Sequence, residues 1–118
     1  MATFSKVLLS GSTDGKAILV SGNNTGSANT IHTAGSGTSN RDEIWIYAVN
    51  TSASSVKLTI EWGEATAPDG NIEVTVLPEA GLVTVIPGLL LQNSLVCRAF
   101  AGTANVICIH GFVNRITA

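Results

Sequence analysis

The chain has 118 residues, of which 12% are charged and 45% are hydrophobic, and its formal net charge is -2. This length predicts one domain, residues 1–118, that can bury a core without disulfide or metal staples. Lysine and arginine stand singly along the chain, with no aromatic residues clustered between them, so we expect no nucleic-acid partner. Because the charged share is about half the usual one, uncharged polar side chains or another subunit must cover much of the surface.

Neither a secretion signal nor a membrane span is visible in the sequence. The first 15 residues contain only a short apolar run, shorter than the apolar segment of a signal peptide. Residues 80–97 carry no charge, but polar residues, proline and glycine interrupt them. We therefore expect a protein that is made and used without secretion and without a membrane.

Alternating apolar and polar residues predict strands along the whole chain, separated by turns rich in glycine, proline and asparagine. The first strand is expected at 4–10, although residues 1–15 could instead form an arm that reaches a neighbouring subunit. Further strands are expected at 16–21, 27–34, 42–50, 56–63, 71–77, 82–86, 94–101 and 104–116, and an apolar run at 89–91 follows Pro87-Gly88. Eight or nine short strands without helical periodicity predict an all-β antiparallel sandwich, a jelly roll or a related Greek-key fold.

The most regular stretch is expected to form a central β-hairpin. Segment 42–50 reads DEIWIYAVN, and segment 56–63 reads VKLTIEWG, with a polar loop between them. Since side chains alternate between the two faces of a strand, one apolar face is predicted to lie in the core. This face comprises Trp45, Tyr47, Val49, Val56, Leu58, Ile60 and Trp62. The opposite face mixes Ile44, Ile46 and Ala48 with charged residues, so another layer or another subunit could cover it.

An uncharged run between residues 82 and 91 is a candidate subunit interface. Its apolar members are Val83, Val85, Ile86, Leu89, Leu90 and Leu91. The same run could equally be a buried edge of the sandwich.

Two cysteines, Cys97 and Cys108, fall in the last two expected strands. A two-residue hairpin loop at Gly102-Thr103 would place them directly opposite each other, where a disulfide could form. In a reducing cytosol, however, we expect two small apolar residues packed in a strand pair. A longer loop would place His110 opposite Cys97, but a zinc site would still lack a fourth ligand, so we expect no metal.

No arrangement typical of catalysis stands out. Glu61 and Glu73 would lie on one face if their strands pair, and paired carboxylates are what a glycosidase needs. The tryptophans point to the other face, however, so two glutamates on a solvated face are the simpler interpretation. His32 and His110 have no carboxylate neighbour in the sequence. We therefore expect no enzyme and no cofactor.

Several phrases of the sequence resemble small virion proteins of tailed bacteriophages. These phrases are DEIWIYAVN, KLTIEWG, IEVTV, PEAGLVTVIPGLLLQNSLVCRAFA and VICIHGFVNRI, within residues 27–116. The resemblance implies a head decoration (cement) protein, or else a small neck, tail or baseplate component. Such proteins are β-sandwiches, often homotrimers, that bind the major capsid protein or other virion proteins after assembly in the host cytoplasm. The resemblance implies neither enzymatic activity nor a cofactor.

A hypothesis from another class is a carbohydrate-binding β-sandwich. In that case Trp45 or Trp62 would provide the platform on which a sugar ring stacks. This hypothesis requires a tryptophan ring that is open to solvent.

Overall fold

The computed structural model describes residues 2–117, which form β-strands and a single 3-10 turn at Thr25–Ser27. The strands are β1 (Thr3–Leu8), β2 (Ile18–Val20), β3 (Asn29–Thr33), β4 (Asn40–Asn50), β5 (Val56–Trp62), β6 (Asn71–Val76), β7 (Val83–Leu91), β8 (Val96–Ala101) and β9 (Ile107–Thr117). The all-β prediction is confirmed. The strands lie close to the predicted ranges, except that β7 continues through Pro87 and Gly88, where a turn was expected. Within the described chain, no helix is long and apolar enough to cross a membrane.

The strands form two antiparallel sheets, as the sandwich prediction requires. The larger sheet has the order β1-β9-β4-β7, and β2 also pairs with β9, beyond the end of β1. The smaller sheet has the order β3-β8-β5-β6. When β1 and β2 are counted as one interrupted strand, this is the strand order of an eight-stranded jelly roll.

The core between the sheets is aliphatic. Its members in the larger sheet include Ile44 and Ile109, and those in the smaller sheet include Leu58 and Ile60, all with 0% exposure. They belong to one continuous cluster of buried residues. Burying each such side chain contributes about 1.5–3 kcal/mol, so this cluster is the main source of stability.

The expected hairpin between β4 and β5 is wrong. Strand β4 pairs with β7 and β9 in the larger sheet, whereas β5 pairs with β6 and β8 in the smaller one. The connection at 51–55 is therefore an arch from one sheet to the other. The side chain of Asn50 holds this arch, since its Nδ2 donates to the carbonyls of Ser54 and Val76, both at 2.8 Å. Its Oδ1 accepts from the backbone N–H of Ser52 at 2.9 Å.

The arch also reverses the predicted orientation of β4. Its inward side chains are fully buried, namely Ile44, Ile46 and Ala48. Trp45, Tyr47 and Val49, which were expected in the core, are only partly buried on the outer face of the larger sheet. The prediction was wrong for these three residues because it placed β4 and β5 side by side in one sheet.

The predicted inward face of β5 does lie in the core. Val56 is 4% exposed, and Leu58 and Ile60 are 0% exposed. Trp62, at the end of the strand, is half-buried and packs against the core. The predicted inward face of β5 is therefore confirmed, whereas its predicted pairing with β4 is wrong.

The candidate interface run lies on β7, an edge strand. Leu89 and Leu90 are 44% and 51% exposed and remain available for a contact. Ile86 and Leu91, with 1% and 7% exposure, belong to the core, so they are not contact residues. The two valines of the run are half-buried. The run is thus partly core and partly surface, because alternate side chains of a strand face opposite ways.

Two irregularities interrupt the pairing of β7 with β4. The register shifts at Val85 and again at Gly88, which has a φ of 85°. A Cβ atom on Gly88 would lie 2.9 Å from the indole of Trp45, so the bulge requires glycine. Pro87 stands beside the bulge on this edge strand. Bulges and proline on an edge strand discourage uncontrolled pairing with other chains.

The beginning of the chain forms a strand, not an arm. Residues 3–8 pair with 112–117 of β9 along their whole length. The arm hypothesis is therefore wrong for these residues, and Met1 lies outside the described residues.

The predicted hairpin of the two cysteines is also wrong. Cys97 lies in β8 of the smaller sheet and Cys108 in β9 of the larger one, and both are free thiols. Their strands are joined by another arch, so the two side chains never oppose each other. Cys97 is fully buried, and this burial raises the pKa of its thiol to about 12. Cys108 is half-buried on the outer side of the larger sheet.

Candidate functional site

The outer face of the larger sheet is the most unusual surface of the molecule. We define the outer face as the outward side chains Phe4, Lys6, Leu8, Leu19, Arg41, Glu43, Trp45, Tyr47, Val49, Cys108, His110, Phe112, Asn114 and Ile116, which follow from the strand registers. Its edge residues Phe4, Leu8 and Leu19 are 71%, 51% and 47% exposed. An exposed apolar surface of this extent is typical of a protein interaction site.

An aromatic pair occupies the middle of the outer face. The rings of Trp45 and Phe112 stack with their centroids 5.9 Å apart and an interplanar angle of 9°. The Trp45 Nε1–H donates to Glu43 Oε1 at 2.8 Å, and Asn114 Nδ2 donates to the same oxygen at 2.9 Å. Lys6 Nζ lies 4.6 Å from the ring centroid of Phe112. Stacking, hydrogen bonds and the cation–π contact hold these side chains in fixed orientations.

The carboxylate of Glu43 is the acidic group of this face. Hydrogen bonds from Asn114 and from Trp45, together with the positive charge of Lys6, lower its pKa. Glu43 is therefore ionised at neutral pH and stands beside the exposed cation of Lys6. The outer face thus combines an apolar centre with the carboxylate of Glu43 and the cations of Lys6 and Arg41.

Two open cavities lie near one end of the larger sheet. One, of about 310 Å³, is lined by Arg41, Leu90, Leu91, Gln92 and Leu95. The other, of about 300 Å³, belongs largely to the outer face and is lined by Phe4, Ser5, Lys6, Glu43, Asn114 and Ile116. Both contain a basic residue and apolar side chains, so this end of the sheet could receive an apolar or aromatic group from a partner.

A buried ion network connects the two sheets at the same end of the larger sheet. We define the buried ion network as His32, Asp42 and Arg115. His32 on β3 and Asp42 on β4 are both 0% exposed, and 2.7 Å separate His32 Nε2 from Asp42 Oδ2. Arg115 on β9 donates from Nε to Asp42 Oδ1 at 2.8 Å and from Nη2 to Asp42 Oδ2 at 2.9 Å. The backbone N–H of Gly35 donates to the same carboxylate at 3.2 Å.

The hydrogen bonds of His32 fix its protonation state. The backbone N–H of Ser10 donates to His32 Nδ1 at 3.0 Å, so Nδ1 is an acceptor and Nε2 carries the proton that is donated to Asp42. Both ring nitrogens therefore have partners inside the protein. An Asp–His pair of this kind orients a ring for acid–base catalysis only when one nitrogen faces a substrate. Here neither does, so the network is a structural link between the sheets.

The electrostatics of Asp42 support this interpretation. Burial opposes its ionisation, but the hydrogen bonds from Arg115 and His32 and the charge of Arg115 lower the pKa of Asp42 to about 2. The carboxylate is thus charged over the whole physiological pH range. A charged group this deep is stable only because every side of it is paired.

The buried ion network could not be predicted from sequence neighbours, because no carboxylate stands next to either histidine in the chain. His32 and Asp42 are ten residues apart and meet only when the sheets face each other. One signal was available: Asp42 is in phase with Ile44 and Ile46, so the alternation of β4 places it on the buried side. A charge in phase with a buried stripe predicts a buried ion pair.

The carboxylates considered for glycoside hydrolysis do not form a pair. In the register of β5 and β6, Glu61 lies opposite Asn71 and not opposite Glu73. Glu61 is 2% exposed and accepts a hydrogen bond from Thr25 Oγ1. Glu73 instead forms an exposed ion pair with Lys57 at 2.9 Å. The two carboxylates therefore stabilise different parts of the smaller sheet.

The groups considered for a metal site are also separated. Cys97 is buried in the smaller sheet, whereas Cys108 and His110 lie in the larger one. His110 is half-buried on the outer face, opposite Tyr47. Within residues 2–117, no three residues of the types His, Cys, Asp and Glu are placed to hold a metal ion together.

Comparisons of the chain with protein-family models, with curated proteins and with solved structures gave no match. A functional proposal for this jelly roll therefore depends on its surfaces and on the sequence resemblance.

Proposed function

We propose that the protein is a structural subunit of a bacteriophage virion, a capsid decoration (cement) protein that associates with itself and binds the major capsid protein. The observation that supports this proposal best is the outer face of the larger sheet. Phe4, Leu8 and Leu19 are exposed beside the stacked aromatic pair at its centre, which suits a permanent contact between macromolecules. The resemblance to virion proteins points in the same direction, with assembly in the host cytoplasm and the virion as the final location.

The outward surfaces of the two sheets differ in a way that suits a subunit on the surface of a particle. The outward side chains of β5 and β6 in the smaller sheet are polar or charged, and they include the exposed ion pair of Lys57 and Glu73. The larger sheet carries the apolar outer face. One side of the subunit can therefore face solvent while the other side is buried in contacts.

The stabilising mechanism is the burial of apolar surface between neighbouring subunits. At ~25 cal/mol per Å² of apolar surface, a contact of a few hundred Å² contributes several kcal/mol. The same contact is repeated at every equivalent position of a capsid lattice. A cement protein therefore acts through many copies of one modest contact, without any chemical step.

The proposal is tested by the copy number of the chain in purified virus particles. Quantitative mass spectrometry should find it in amounts comparable to the major capsid protein. A few copies per particle would instead support the alternative of a neck, tail or baseplate component. Absence from the particle would contradict both. Particles that lack the protein should also lose their DNA at a lower temperature, and unchanged heat tolerance would count against a cement role.

The carbohydrate-binding alternative gains no support from the tryptophans. Trp45 stacks on Phe112, and Gly88 packs closely against its indole. Trp62 packs against the core. A sugar platform needs a ring face that is free, so binding of simple sugars to the chain is not expected.

A further inference from the structure

The strand registers arrange the outer face in rows that cross the larger sheet. Each row has one residue from β1 or β2, one from the central strand β9 and one from β4. The rows are Phe4–Ile116–Arg41, Lys6–Asn114–Glu43, Leu8–Phe112–Trp45 and Leu19–Cys108–Val49. The flanks of the rows are unlike each other, with Lys6 on one side of β9 and Glu43 on the other.

We propose that this outer face binds the same face of a second copy of the chain, about a two-fold axis that runs along β9. Two sheets that pack face to face keep their strands within about 30° of each other. A two-fold axis along β9 places β1 of each copy over β4 of the other, so every contact occurs twice. The central strands of the two copies then face each other along the axis.

This arrangement makes the charges of the face complementary. Lys6 lies over Glu43 of the second copy, and Phe4 lies over Arg41 of the second copy, where a cation–π contact can form. Leu8 lies over Trp45 of the second copy. An axis across the strands would instead place β1 over β1, and no such register brings Lys6 against Glu43. Charge complementarity therefore selects both the partner, a second copy, and the direction of the axis.

The charged groups are already in place for this contact. Trp45 and Asn114 both donate to Glu43 Oε1, so neither of these bonds uses Oε2. Lys6 is exposed, and its Nζ donates a hydrogen bond to Asn114 Oδ1 at 3.2 Å. Because these side chains are ordered before association, little conformational entropy is lost when the contact forms.

The size of the face is enough for a small specific interface. Strand β9 has 11 residues, which at ~3.3 Å per residue span ~36 Å, and the three strands of the rows span ~14 Å. The face therefore covers roughly 500 Å² on each copy, or about 1,000 Å² in the pair, at the lower limit for a specific interface. The inference does not require the virion location, since it concerns only the contact of the chain with itself. It does predict pairs where the resemblance implies trimers.

The test uses two single charge variants, Lys6→Glu and Glu43→Lys, and native mass spectrometry. Each variant alone places like charges opposite each other twice in a pair, so its dissociation constant should rise at least about tenfold. When the two variants are mixed, the acidic flanks of one face the basic flanks of the other, and a mixed pair should form. This rescue requires contacts between chains, because each chain still carries its own like charges.

The matched controls are Lys57→Glu and Glu73→Lys on the smaller sheet. They change the net charge equally and alter an exposed ion pair that lies far from the outer face. They should leave the association unchanged. The inference is overturned if the unmodified chain forms trimers or stays monomeric. It is also overturned if the mixture of Lys6→Glu and Glu43→Lys forms no mixed pairs, or if the controls weaken the association as much.

Discussion

His32 donates its Nε2 proton to Asp42 Oδ2 at 2.7 Å across the interior of the sandwich, and both side chains are 0% exposed. His32 belongs to the smaller sheet and Asp42 to the larger one, so this bond joins the two layers. Arg115 completes the neutralisation of the buried carboxylate with two further bonds. The sandwich is therefore held at this end by a polar link in addition to its aliphatic core.

The stability of the fold should fall in acid through Asp42. Its pKa is lowered from 3.8 to about 2 in the folded protein. A lowered pKa stabilises the folded state above the unfolded value, and this stabilisation is lost as the pH falls from about 4 to 2. The loss amounts to about 2 kcal/mol at ~1.4 kcal/mol per pH unit. Urea unfolding at a series of pH values measures this change.

The control for the acid dependence is Asp42→Asn. This change leaves Arg115 without its carboxylate, so it should cost about 2–4 kcal/mol at pH 7. The unfolding free energy of the variant should then change less between pH 4 and 2 than that of the unmodified chain. An equally steep acid profile in the variant would show that other carboxylates cause the loss.

The arch between β4 and β5 should depend on Asn50. Replacement by alanine leaves the buried carbonyl of Val76 without this donor, which should cost about 2–3 kcal/mol. Asn23→Ala is the matched control, because Asn23 is exposed and its Oδ1 accepts only from Asn24. Urea midpoints of the two variants make the comparison. Equal midpoints would contradict the role given to Asn50.

The two arches, at 51–55 between β4 and β5 and at 102–106 between β8 and β9, explain how much of the fold could be predicted from the sequence. Alternation is a local signal, so it located the strands and the buried side of β5. It could not tell whether a five-residue connection turns back within one sheet or crosses to the other sheet. That single ambiguity placed Trp45 on the wrong side and put Cys97 opposite Cys108. The outer face escaped prediction for the same reason, because it exists only when β1, β9 and β4 lie side by side.

The bulge on β7 should require glycine at position 88. A side chain in Gly88→Ala would meet the Trp45 indole at 2.9 Å and would also stand at a φ of 85°. We expect a loss of about 2–3 kcal/mol and a shift in tryptophan fluorescence. Gly37→Ala separates the two causes, since Gly37 has a φ of 76° and no atom within 4 Å of the added Cβ. It should cost about 1 kcal/mol and leave the fluorescence unchanged.

The two thiols should differ in reactivity. Cys97 is 0% exposed with a pKa raised to about 12, so a maleimide should not label it in the folded protein. Cys108 lies on the outer face, on the axis of the proposed pair. Its labelling rate, followed by mass spectrometry, should therefore increase in the monomeric Lys6→Glu variant. A Cys108 rate that is the same in both proteins would place the contact elsewhere.

The most direct test of the account is the solution mass of the unmodified chain, measured by light scattering over a range of concentrations. A self-complementary outer face predicts that the mass rises from that of one 12.1 kDa chain to that of two and then stays constant. A mass that remains that of one chain at every concentration, or that settles at three chains, would contradict the two-fold contact through this face.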